Sequence, residues 1–303
     1  QPLMREGAAS SWCSMDGFLG KPEVDDRTVR FADQSYKAMR DDESRTPQFA
    51  KAIKARLAEA PPNTLAVLDI GTGPLAVLAL LAADSGARKV YAIEVNADAA
   101  ERARETVRDA GWADVIEVFT GYSTAVTLPE QVDVVVSEIV GSVASEEGMY
   151  ATVHDAHVRG LVKEPTRRDS WIPHRVETWG APCSYALQHA LGAPAYDWGG
   201  IDEPLRLSCP EATLLMLATP QRVEDVSFTD PLAGHVALEP LEGGSDAAPT
   251  GPPPVDCVFE VTSDRLEANE RAYEKGLLAQ GIPPDAARDA ARGAARGLSG
   301  FAL

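Results

Sequence analysis

Between residues 64 and 138 the chain carries four short runs rich in apolar residues, "LAVLDI", "KVYAIEV", "VIEVFTG" and "VDVVVSE". Apolar runs of this length, bounded by turn residues, read as strands buried on both faces. Between the first and second lies "PLAVLALLAADSG", with Pro74 near its start and Gly86 near its end. Between the second and third lies "NADAAERARETVRDAG", opened by Asn96 as an N-cap and closed by Gly111. Both have the punctuation of helices. Strands alternating with helices at this spacing form right-handed crossover units around a parallel sheet. No other feature restricts the fold as much, and it makes the centre of the chain α/β.

The flanks differ. Residues 1–28 are polar and contain glycine, as expected of a loosely ordered or covering segment. Residues 29–57 have a helical pattern, with an acidic "DDES" before "RTPQFAKAIKARL" and Pro47 suited to a first helical turn. "PPN" then breaks the chain. After Leu161 proline and aromatic residues become frequent, and "RVETWGAPCSYAL", "RVEDVSFTD" and "VDCVFEVTS" look like strands. "EGGSDAAPTGPPP" reads as an exposed loop. Residues 264–297 are helical with a break at 281–284, and "LSGFAL" begins like a further strand. The expected organisation is an N-terminal segment with helices over 1–63, a Rossmann-like parallel-sheet domain over 64–170, and a mainly antiparallel, β-barrel-like domain with a helical insertion over 171–303.

Charge and composition exclude several classes. The 303 residues carry a formal net charge of −18 and show no basic stripe, which argues against a nucleic-acid partner held by phosphate neutralisation. No apolar run approaches the roughly 18 residues of a membrane span, and the N-terminus lacks a signal-peptide core. Cys13, Cys183, Cys209 and Cys257 are far apart, and His154, His157 and His174 show no ligand spacing, so no metal is expected. The expected location is a reducing cytoplasm.

"VLDIGTGPLA" places two glycines, Gly71 and Gly73, directly after the first strand. Glycine lets a ligand approach the backbone, and Ala76 takes the third position of the nucleotide fingerprint. Glu94 ends the second strand, where a carboxylate accepts the two hydroxyls of an adenosine ribose. NAD and S-adenosylmethionine both fit these residues. Asp69 favours the second, since a carboxylate facing the cleft repels a pyrophosphate but attracts a sulfonium or ammonium group.

"SEIVGSVASEEGM" follows the fourth strand and sets Glu138, Glu146 and Glu147 at the same edge of the sheet as Gly71 and Glu94. This stretch resembles the double-glutamate loop of the protein arginine methyltransferases. Glu138 matches the first family glutamate, and Glu147 matches the second by spacing. "MRDDESRT" resembles the family segment in which Arg45 binds the carboxylate of S-adenosylmethionine, beside Met39. "GARKVYAIE" resembles the strand with the ribose glutamate, and "WIPHRVETW" the entry to the family's β-barrel. The resemblance spans roughly residues 31–235. It implies an S-adenosylmethionine-dependent N-methyltransferase acting on a guanidino group. Glu138 and Glu147 would be catalytic and substrate-binding. Met39, Arg45, Asp69, Gly71, Gly73, Glu94, Ser123 and Thr124 would hold the cofactor, and Tyr36 would close over it and the substrate or serve only as a packing aromatic.

The sequence also departs from the family. Leu75 stands in place of a third glycine, and Thr124 stands where a glutamate commonly meets the adenine amino group. No T-H-W motif is found, the residues between the two glutamates are small, and the final "GFAL" resembles a mid-barrel strand, as expected of a chain incomplete at its C-terminus or of a barrel cut down. The Ala, Arg, Gly and Pro usage has a bacterial look, and bacterial members of the family methylate free arginine for natural-product pathways. The expected substrate is therefore free L-arginine or a related small guanidino compound, with an arginyl residue of a protein as the alternative. Methylation of another amine or hydroxyl and an inactive scaffold are the remaining readings. By the same resemblance, residues 264–297 are expected to serve a homodimer or to be a solvated insertion.

Overall fold

A computed structural model of the chain describes residues 33–141, 143–186, 214–230, 256–298 and 300–302. The chain divides into two compact units, one of residues 1–176 with 226–253 and one of residues 177–225 with 254–303. The segment 1–28 and the loop 242–254 lie outside the described residues.

The first unit is built on a parallel sheet of β1 (Ala66–Ile70), β2 (Lys89–Glu94), β3 (Ile116–Thr120), β4 (Val134–Ser137) and β5 (Trp171–Ile172), in the order β3-β2-β1-β4-β5. Its helices are α1 (Asp33–Arg40), α2 (Thr46–Leu57), α3 (Val77–Asp84), α4 (Ala97–Asp109) and α5 (Met149–Val158). Successive side chains of a strand point to opposite faces. On one face Leu68, Ile70, Tyr91, Ile93 and Val135 pack with Met149, Tyr150 and Val153 of α5 and with Trp171 and Phe228. On the other Val67, Val90, Ala92, Val134 and Val136 pack with residues of α2, α3 and α4. Burial on both sides explains why these strands read as apolar runs rather than as alternating ones.

Asn96 caps α4 as expected, its side chain accepting from the Ala99 N–H at 3.0 Å. α3 begins later than its sequence suggests, because residues 73–76 form a turn and Ala76 adopts a left-handed conformation. The helical pattern over 29–57 resolves, where described, into two helices, the second beginning at Thr46 with Pro47 in its first turn as expected. The Asp42 carboxylate accepts from Ser44 N–H, Ser44 Oγ and Arg45 N–H, at 2.7 to 2.9 Å. That local set competes with helical hydrogen bonding and breaks the chain direction between α1 and α2.

The second unit centres on β6 (Arg175–Tyr185), neighboured by β7 (Leu214–Met216), β8 (Gln221–Ser227) and β9 (Gly300–Ala302). β7 and β9 run antiparallel to β6. α6 (Ser263–Ala279) and α7 (Pro284–Arg296) match the two helical stretches read from the sequence. α7 buries Ala287, Ala291, Ala294 and Ala295 along one stripe, and the last two pack with Leu215 and Ala186. The strand expected over "VDCVFEVTS" is absent from residues 256–262. Val258 is 84% exposed and Val261 is exposed too, while Cys257 and Phe259 are half-buried, and the segment joins no strand among the described residues. It is met instead by the Gln221 side chain, which donates to the Val258 carbonyl.

Removing the α4 cap by Asn96→Ala is expected to cost about 1 kcal/mol. A lower urea midpoint with unchanged far-ultraviolet circular dichroism would be the readout.

Candidate functional site

In the parallel sheet the strand order reverses between β1 and β4, and a crevice opens beyond the carboxyl ends of two such strands. Ile70 lies opposite Ser137 in the pairing of those strands. The next residues are Gly71 and Glu138, so the glycine turn and the acidic loop leave the sheet side by side. Gly71 has φ +77°, and a Cβ there would lie 2.8 Å from Cγ2 of Ile139. Glycine is needed at 71 to let the acidic loop pass, as well as for its backbone angle. Gly73 has φ +62° and lies beneath the ring of Tyr36 on α1, 3.4 Å from where a Cβ would be.

Glu94 is almost fully buried. Its carboxylate accepts from the Gly73 N–H at 2.9 Å and from the Asn96 N–H at 2.8 Å, which ties the glycine turn to the end of β2. Each oxygen retains a further acceptor site. Asp69 has no exposed surface. Its Oδ2 accepts from the Thr72 hydroxyl at 2.6 Å, while Oδ1 has no hydrogen-bond partner. Burial, helped by the nearby Glu94 charge, pushes the carboxyl up to about 7, against the pull of the Thr72 hydroxyl and of the Ala79 backbone N–H. A buried acceptor without a donor is costly, and a donor or cation delivered to it would recover that cost.

Arg45 sits in the turn between α1 and α2, held there by Asp42. Its Nη1 donates to Oε2 of Glu138 at 2.5 Å, and its Nη2 donates to the Met39 carbonyl at 2.9 Å. Thr46 Oγ1 donates to the same carbonyl. Arg45 and Glu138 are each about a quarter exposed on their side chains. Burial raises the Glu138 carboxyl above its ordinary range, the Arg45 guanidinium opposes the rise, and Asp42 adds to it. Two residues assigned to different ligands by the sequence therefore form one ion pair, and Met39 takes part through its backbone carbonyl.

Glu147 ends a 3-10 turn, Ala144–Glu147, half-buried and two residues before α5. Ser123 and Thr124 lie in the turn after β3, the first half-buried and the second exposed. That turn follows Gly121, whose N–H donates to the Glu94 carbonyl at 2.9 Å. The contacts thus bring together Arg45, Met39 and Glu138; Gly73, Glu94 and Tyr36; and Asp69 with Thr72. Three contributors escaped the sequence reading: Asp42, Thr72 and Ile139. The first had a signal, since an Asp two residues before Ser is a frequent side-chain-capped turn. Ile139 had none, because its partner Gly71 is close only in the folded sheet.

Residues 22–154 match the family model described as PRMT5 arginine-N-methyltransferase. The chain is similar to protein arginine N-methyltransferase PRMT10 of Oryza sativa subsp. japonica, 38% identical over 204 residues, covering 63% of this chain and 51% of the relative. It is 31% identical over 170 residues to protein arginine N-methyltransferase 7 of Rattus norvegicus, covering 54% of this chain and 24% of the relative. The chain thus spans about half the length of the rice relative, or less for the rat one. Among solved structures it resembles the Trypanosoma brucei PRMT1 enzyme-prozyme heterotetrameric complex with AdoHcy, with a TM-score of 0.53 and 24% identity over 64% of this chain and 62% of that one. Arabidopsis thaliana protein arginine methyltransferase 10 gives 0.50 at the same identity and coverage. At that identity the likeness supports the fold alone: an α/β core on a parallel sheet, with a further antiparallel sheet.

Asp69 makes stability pH-dependent. Its folded value near 7 lies above an unfolded value of about 3.9, so its contribution is complete below about pH 4 and is lost as pH rises through 7. Asp69→Asn removes this titration. Chemical denaturation from pH 4 to 8 should show wild type losing stability relative to the variant; a difference flat with pH would contradict the assignment.

Proposed function

We infer, from the match of residues 22–154 to the family model described as PRMT5 arginine-N-methyltransferase, that this chain transfers a methyl group from S-adenosylmethionine to a guanidino nitrogen of an arginyl residue in a protein. The observation that carries the reading is the Arg45–Glu138 pair, a guanidinium seated on a carboxylate at the strand-order reversal. The relatives' names favour a protein substrate over the free arginine expected from composition. Because the chain spans only part of those relatives, the reaction rests on its own site residues.

Those residues suit the cofactor. Asp69 Oδ1 offers an unpaired acceptor for an amino group. Arg45 offers a cation for a carboxylate, and Glu94 keeps acceptor sites for ribose hydroxyls. Gly71 and Gly73 admit a ligand to the backbone, with Tyr36 above the second and Ser123 and Thr124 on the adenine side. When bound, S-adenosylmethionine supplies an electrophilic methyl carbon on a sulfonium. A cofactor carboxylate would compete with Glu138 for Arg45 and so release the glutamate to a substrate.

Glu138 and Glu147 would then grip the planar guanidinium through paired hydrogen bonds. Holding positive charge on the two non-reacting nitrogens leaves the lone pair of the third aimed at the methyl carbon. The transfer would form a nitrogen–carbon bond as the carbon–sulfur bond broke, leaving S-adenosylhomocysteine, and the nitrogen would give up a proton. Glu138, whose carboxyl is raised by burial, is suited to receive it. Positioning accounts for most of the rate, since the electrophile is already activated. α6 and α7 are the candidate contact of a homodimer.

Incubation with methyl-labelled S-adenosylmethionine and either an arginine-rich peptide or free L-arginine tests this. The expected result is label on the peptide, with Glu138→Gln lowering turnover on the order of a hundredfold or more while cofactor still binds. Label on free arginine alone would overturn the protein substrate. Label on neither would overturn the reaction.

A further inference from the structure

We propose that Arg159 is a positioning residue for the adenine side of the cofactor site; this rests on the cofactor reading above. Arg159 is the C-cap residue of α5, the helix that begins two residues after Glu147. Its Nε donates to Oδ2 of Asp155 at 2.8 Å and its Nη1 to the Val126 carbonyl at 2.8 Å. Its Nη2 donates to the Ser123 carbonyl. The guanidinium therefore holds both ends of the Ser123–Val126 turn. Within that turn the Tyr122 carbonyl accepts from the N–H groups of Ala125 and Val126 at 2.9 and 3.0 Å.

This arrangement controls what the turn presents. The Ser123 carbonyl and the Thr124 N–H share one planar peptide unit and point in opposite directions. Drawing the carbonyl to Arg159 aims the Thr124 N–H away from α5 and sets where both side chains emerge. The turn follows Gly121, which is bonded to Glu94, so its orientation decides the surface met by a base whose ribose lies on Glu94. Asp155, one helical turn earlier and bonded to the same guanidinium, fixes the guanidinium plane. A planar fork reaches two carbonyls and a carboxylate at once, which a lysine ammonium does not reproduce. A mere cation at a helix C-terminus needs none of this geometry, and lysine would serve it equally.

Titration calorimetry of S-adenosylhomocysteine and of adenosine onto the full chain separates the two roles, using wild type, Arg159→Ala, Arg159→Lys and Asp155→Asn. Arg159→Ala and Arg159→Lys are expected to weaken both ligands about tenfold. Asp155→Asn should weaken them less. Arg159→Lys should recover the melting temperature but not the affinity, and kcat at saturating cofactor should stay within about twofold of wild type. If lysine restores affinity together with melting temperature, or if Arg159→Ala binds adenosine as wild type does, the positioning role is wrong. If wild type binds neither ligand, the cofactor reading itself fails.

Discussion

The pairing of β1 with β4, which sets Ile70 opposite Ser137, is the contact on which the site depends. Two parallel strands whose crossovers lead to opposite sides must leave a crevice at their carboxyl ends. Here the Ile139 side chain lies so close to Gly71 that a Cβ at 71 would meet its Cγ2 at 2.8 Å. The glycine turn and the acidic loop are thus packed against one another as parts of one structure. A change at Gly71 would act on Glu138 through Ile139, without any direct contact between the two.

Charge is distributed around this crevice in an economical way. Arg45 and Glu138 satisfy each other at 2.5 Å, so neither charge is left alone in a partly buried place. Glu94 is satisfied by two backbone N–H groups. Asp69 Oδ1 alone, among the buried side-chain oxygens and nitrogens of the described residues, lacks a donor. The one uncompensated acceptor therefore belongs to the carboxylate that the proposed function assigns to an amino group. The Arg45 pair has a different character, being a satisfied contact that two ligands of opposite charge would have to divide between them.

Much of the first unit was legible because its determinants are local. Strands buried on both faces need uninterrupted apolar residues, and Asn96 carries its capping signal in its own side chain. Asp69, Gly71, Gly73 and Glu94 could be named because they adjoin strand ends. The start of α2 was legible in Pro47, whereas the way residues 41–45 turn depends on one carboxylate, Asp42, which diverts the backbone. β5 escaped notice for its length: two residues carry no period. Residues 256–262 have strand-forming composition, yet Val258 and Val261 stay exposed and the segment pairs with no described strand.

The sequence by itself determined the parallel sheet, the helices around it and the residue types at its carboxyl edge, because periodicity and caps are written within a few residues of one another. Only the tertiary structure decided which of those residues meet. Arg45 and Glu138 are 93 positions apart, and Arg159 reaches a carbonyl 36 positions away. Such contacts depend on strand register and on how each turn leaves the sheet, and no local pattern encodes either.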